Sequence, residues 1–95
     1  MEKQTLLVVE DAPDIREMVA LYLSNAGYHV LQTESGRECL RLVEAHRPVA
    51  VILDIGLPDI DGFAVAATLR ASNPSLGIIL VTVRDDDFDR IAGLE

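Results

Sequence analysis

Apolar positions along this chain fall into short unbroken runs separated by stretches of helical spacing. Leu6-Leu7-Val8-Val9, Val49-Ala50-Val51-Ile52-Leu53 and Ile78-Ile79-Leu80-Val81 show no period-2 alternation. Runs of that kind fit strands covered on both faces, as in a parallel sheet. His29-Val30-Leu31-Gln32-Thr33 reads as a further strand, less apolar than the others and so nearer an edge. Between the first two strands, Ile15, Met18, Val19, Tyr22 and Ala26 fall on one face of a helix, with Pro13 and Asp14 in its first turn and Gly27 as its stop. Ser35-Gly36-Arg37-Glu38 has the S-x-x-E form of a capping box and opens a second helix, with Leu40 and Val43 turned inward. Pro48 separates it from the next strand. Asp61-Gly62-Phe63 opens a third helix, with Phe63, Ala66, Ala67 and Arg70 at helical spacing, and Ser72-Asn73-Pro74-Ser75 is a loop signal. Asp85-Asp86-Asp87 starts a fourth helix carrying Phe88, Ile91 and Ala92. The βαβαβαβα alternation predicts an α/β fold, a doubly wound parallel sheet.

No stop signal follows that fourth helix before Glu95, so residues 1–95 read as one domain that is incomplete at its C-terminal end. Hydrophobic residues make up 49% of the chain and aromatics only 4%, so the core is aliphatic. The net charge of -8 and the absence of a basic cluster argue against nucleic acid or an anionic membrane as a direct partner. The single Cys39 excludes an internal disulfide and is most simply a core-facing helix residue. No signal peptide or membrane-length apolar run is visible, and the composition fits a cytoplasmic domain.

The strands end in groups that chemistry can use. The first leads into Glu10-Asp11, the third into Asp54 and the fourth into Thr82. In open α/β sheets ligands bind at that carboxyl edge. An unpaired carboxylate is expensive to bury, so Asp54 is expected at the exposed end of its strand. If the first and third strands are neighbours, the three acids form a site for a hard cation such as Mg²⁺, with Asp54 as nucleophile toward a phosphoryl group. Each residue also has a local reading. Asp11 alone is more often a helix N-cap, Glu10 alone a solvated loop acid, and Thr82 a β-branched strand residue. His29 and His46 lie away from the strand ends and are taken as surface residues.

Leu7-Val8-Val9-Glu10-Asp11, Val51-Ile52-Leu53-Asp54-Ile55, Leu57-Pro58-Asp59-Ile60-Asp61-Gly62 and Leu80-Val81-Thr82 resemble the receiver domain of two-component response regulators over Lys3 to Glu95. The stretch Arg84-Asp85-Asp86 through Asp89-Arg90-Ile91-Ala92-Gly93-Leu94-Glu95 is similar to the OmpR/PhoB branch, and Gly77 to Thr82 to regulators of trimethylamine-oxide respiration. The resemblance implies a flavodoxin-like sheet of order 2-1-3-4-5, with the fifth strand, its lysine and its switch aromatic beyond Glu95. It implies that a sensor histidine kinase phosphorylates Asp54. It further implies Mg²⁺ held by Asp11, Asp54, Glu10 (directly or through water) and the Gly56 backbone carbonyl, and Thr82 as switch hydroxyl. Such a domain is not a conventional enzyme: it assists only its own phosphorylation and dephosphorylation. It would act on DNA only through an output domain that this chain lacks. Gly56 and Val83 depart from the family's usual residues, leaving the site more open at the first and more crowded at the second.

An uncovered fourth strand is expected to pair with a second copy, giving a homodimer or an edge-to-edge oligomer. Three other readings compete with this one. A flavodoxin-like nucleotide or flavin binder shares the fold but needs a glycine-rich phosphate loop, which is absent after the first strand. A receiver-like docking module that is never phosphorylated would not need Glu10, Asp11, Asp54 and Thr82 together. A metal-dependent phosphatase with an aspartyl nucleophile usually has a second acid two residues on, where this chain has Gly56.

Overall fold

The computed structural model describes residues 3–81. Its elements alternate as the apolar runs predict: β1 (Thr5–Val9), α1 (Pro13–Asn25), β2 (His29–Thr33), α2 (Gly36–His46), β3 (Ala50–Asp54), α3 (Gly62–Ser72) and β4 (Gly77–Val81). The strands form one parallel sheet in the order β2-β1-β3-β4, with the less apolar β2 at an edge. The fourth helix read at Asp85 to Ala92 lies outside the described residues. No described helix is long and apolar enough to cross a membrane.

Strand alternation splits the core between the two faces. Leu7 and Val9 of β1 and Val51 and Leu53 of β3 pack with Cys39 and Val43 of α2 and Val65 and Leu69 of α3. Leu6 and Val8, also buried, alternate with them toward the face where α1 lies against β1 and β2. Cys39 is core-facing as expected, and burial pushes its thiol up to about 12, which keeps it un-ionised and unreactive.

Two helix faces differ from the periodicity reading. On α1 the buried residue is Ala20, with Ile15, Val19 and Leu23 half-buried beside it. Met18 and Tyr22 are 64% and 75% exposed, and Ala26 is exposed too. α1 carries apolar residues on two adjacent stripes, and a small Ala lets the helix approach the sheet more closely than the Met-Tyr stripe would. On α3 the buried stripe is Gly62, Val65 and Leu69, so Phe63 points outward at 58% exposure.

The helix ends follow their local chemistry. Gly27, with φ 104°, ends α1, donating to the Ser24 carbonyl. Ser35 caps α2 by accepting the Glu38 N–H at 3.2 Å. Glu38 does not complete the box, because its carboxylate accepts the Thr33 hydroxyl and pairs with Arg41 instead. α2 closes on Arg47, a non-glycine residue at φ 49° and ψ 59°. That left-handed backbone costs an L side chain about 1 kcal/mol. Arg47→Gly is therefore expected to raise stability by about 0.5 kcal/mol once the glycine's added freedom in the unfolded chain is subtracted. A higher urea midpoint at unchanged slope checks this, and a lower one shows that the arginine side chain is needed there.

Candidate functional site: a three-carboxylate cluster

β1 and β3 lie side by side with Val9 opposite Leu53, so Glu10 and Asp54, the next residues, leave the sheet together. Glu10, Asp11 and Asp54 each bring a carboxylate oxygen to a point where all three lie within 4.8 Å of one another. The neighbouring of β1 and β3 assumed from the sequence is thus realised.

Each acid departs from its local reading. Asp54 sits at the carboxyl end of β3 but is 0% exposed, not at an exposed end. Burial there is offset in part because the Gly56 N–H donates to Asp54 Oδ1 at 3.1 Å. Glu10 is no solvated loop acid: it is 4% exposed, and its Oε2 accepts the Ala12 N–H at 3.0 Å. Its own N–H donates to the Thr33 carbonyl at 3.0 Å, and Arg16 donates to its carbonyl at 2.9 Å. Asp11 is not the cap of α1, because Ala12 holds that position without a side-chain bond. Instead it joins the cluster, half-buried. Gly56 is tied to the cluster through its N–H, while Thr82 lies outside the described residues. His29 and His46 are exposed and apart from it, as expected.

The electrostatics follow from crowding. Burial pushes the Glu10 carboxyl up to about 7. The Ala12 amide opposes that, while a hydrogen bond shared with Asp11 and the charges of Asp54 and Asp11 add to the rise. A carboxyl raised in the fold binds more protons there than in the unfolded chain between about 4.5 and 7. Its contribution to stability is therefore complete below about 4.5 and is lost as pH rises through about 7. In metal-free buffer, wild type is expected to lose stability relative to Glu10→Gln over that window. Urea titrations at stepped pH check it, and parallel curves would show that Glu10 ionises freely in the fold. Three acids that repel one another, two of them buried, form a donor set suited to a hard divalent cation.

One residue at this end of the sheet escaped the sequence reading. In the sequence Asp59 stands out only as part of a motif, yet its carboxylate accepts three hydrogen bonds from the start of α2. No local pattern announces this, because the partners lie 22 to 24 positions away.

A doubly wound parallel sheet with buried acids gathered where β1 and β3 end is a flavodoxin-like module with an acidic cluster at its topological switch. The response regulator receiver domain model matches residues 6–95, and the chain belongs to that family. Among curated relatives, the transcriptional regulatory protein AfsQ1 of Streptomyces coelicolor is 42% identical over 91 residues, covering 96% of this chain and 40% of that protein. Relatives named MprA and PhoP are consistent with the similarity to the OmpR/PhoB branch. The chain spans about two fifths of the length of the curated relatives it matches. Among solved structures, the response regulator TrrA of Thermotoga maritima in complex with Mg²⁺-BeF superposes with a TM-score of 0.82 at 33% identity, covering 96% of this chain and 79% of that one. TrrA in complex with the histidine kinase ThkA gives 0.80 at 38% identity over 84% of this chain and 69% of that one.

Proposed function

We propose that this domain accepts a phosphoryl group on Asp54 from a sensor histidine kinase in the cytoplasm and passes the change to an output that acts on DNA. The observation that carries this reading is the convergence of Glu10, Asp11 and Asp54 at the ends of β1 and β3. An Asp54 oxygen attacks phosphorus, the bond from phosphorus to the donor imidazole nitrogen breaks, and the imidazole leaves with the electron pair to take up a proton. Asp11, Asp54, Glu10 and the Gly56 carbonyl would hold Mg²⁺, whose charge offsets that of the incoming phosphoryl oxygens.

The chain's own groups prepare the nucleophile. The Gly56 N–H restrains rotation of the Asp54 carboxylate. Burial of Asp54 and Glu10 removes the water that would otherwise solvate the attacking oxygen. Thr82, which follows the end of β4, is the hydroxyl that would bond the phosphoryl group and report its presence. The domain assists only its own phosphorylation and dephosphorylation and is not a conventional enzyme. The histidine kinase partner is supported by the TrrA–ThkA likeness, and the DNA-acting output by the regulator relatives.

The test is labelling with a small phosphodonor. One phosphoryl group should add to the protein in Mg²⁺, stable in acid and labile in base, and a chelator should prevent it. Absence of label in Mg²⁺ overturns the reading in favour of a docking module.

A further inference from the structure

The loop that follows Asp54 is fastened at its far end to a helix that the phosphoryl site does not otherwise use. Asp59 Oδ1 accepts the Gly36 N–H at 3.0 Å. Oδ2 accepts the Ser35 hydroxyl at 3.0 Å and the Arg37 N–H at 3.1 Å, and the Arg37 guanidinium stands 4.0 Å away. Ser35, Gly36 and Arg37 are the cap and first two residues of α2, whose N–H groups have no acceptor within the helix. Ser35 satisfies only the Glu38 N–H. The remaining two go to a carboxylate delivered from the β3–α3 loop, and these bonds hold the Asp59 carboxyl below its usual range.

Packing supports the same contact. A Cβ at Gly36 would collide with Ile60 Cγ2 and stand 3.2 Å from Leu57 Cδ1, so the loop rests directly on the first turn of α2. From that turn a path leads back to the cluster. The Ser35 N–H donates to Thr33 Oγ1 at 3.2 Å, and the Thr33 carbonyl accepts the Glu10 N–H at 3.0 Å. In the other direction the loop runs from Asp59 back through Gly56 to Asp54. The carboxylate therefore closes a ring whose two ends both carry residues of the cluster.

We propose that Asp59 is a positioning residue of the phosphoryl site, fixing the 55–61 loop over Asp54 by binding the N-terminus of α2. The inference rests on the assignment of Asp54 and its cluster made above. Asp59 touches neither cation nor phosphoryl group. It acts by setting the backbone at Gly56, whose N–H holds the Asp54 carboxylate.

Asp59→Ala should raise the Kd for Mg²⁺ by about tenfold, the lower end of what removing an outer support does to metal sites. It should also speed hydrogen exchange at the Gly36, Arg37 and Gly56 amides. Asp59→Asn, which keeps one acceptor oxygen, should fall between. Ala67→Gly on the exposed side of α3 serves as the stability control, since it lowers Tm without touching the loop. An Mg²⁺ Kd for Asp59→Ala within about twofold of wild type, or equal to that of Ala67→Gly, overturns the inference. If Asp59→Ala does not fold, the same comparison is made with Asp59→Asn. Wild type that takes up neither Mg²⁺ nor label overturns the functional reading and this inference with it. Wild type that does both, beside an Asp59 variant that matches it, overturns the inference alone.

Discussion

Asp54→Asn is expected to abolish phosphoryl labelling and to remove most of the stabilisation that Mg²⁺ confers. An amide in place of the carboxylate has no nucleophilic oxygen of comparable strength, so labelling falls to background. The cluster also drops from three formal charges to two, and one hard oxygen ligand becomes a weaker one. Saturating wild type at a hundredfold excess over Kd should contribute about 2.7 kcal/mol. For a domain of this size that moves Tm by roughly 10 °C or more. Without metal the order reverses. Asp54 is one of the charges that push Glu10 up, and removing it relieves that repulsion. Metal-free Asp54→Asn should thus melt above metal-free wild type and respond little when Mg²⁺ is added. Equal thermal shifts in the two proteins would sink the assignment of Asp54 to the cation site.

The sequence carried the sheet because β1, β3 and β4 are unbroken apolar runs, and such runs admit few placements. It carried the position of Asp54 for the same reason: a carboxylate ending five apolar residues is poorly explained by packing. Burial was less legible. Desolvation keeps an unpaired acid at an exposed strand end, but Asp54 is fully buried and accepts the Gly56 N–H. α1 failed differently. Ile15, Val19 and Leu23 compete with Met18, Leu21 and Tyr22 for the sheet, and periodicity alone cannot say which set turns inward beside the buried Ala20. Asp59 was invisible because its partners sit on another helix. An S-x-x-E box shows that a helix begins, not which distant carboxylate will take the cap's unused N–H groups.

Gly62→Ala is expected to be the most damaging single-methyl change near the site. The D-G step reads in the sequence as a helix opening, and Asp61 does accept the Phe63 N–H at 3.1 Å. The structure gives the glycine a second reason. A Cβ at Gly62 would stand 2.5 Å from Ile55 Cα and 2.7 Å from the Asp54 carbonyl oxygen. Both are backbone atoms, so no side chain can swing aside, and either α3 or the end of β3 must move. Overpacking of this kind costs about 1–3 kcal/mol, and more where backbone must shift. The displaced atoms belong to Asp54 and its successor, so the damage extends beyond stability. The Gly56 bond to Asp54 Oδ1 spans the same two residues and should lengthen or break. Gly62→Ala should therefore show a lower urea midpoint and, at temperatures where it remains folded, Mg²⁺ binding weakened at least as far as in Asp59→Ala. A lower midpoint with wild-type Mg²⁺ affinity would mean that α3 yields and β3 does not. An unchanged midpoint would mean that the close approach of Gly62 to β3 is not maintained in solution.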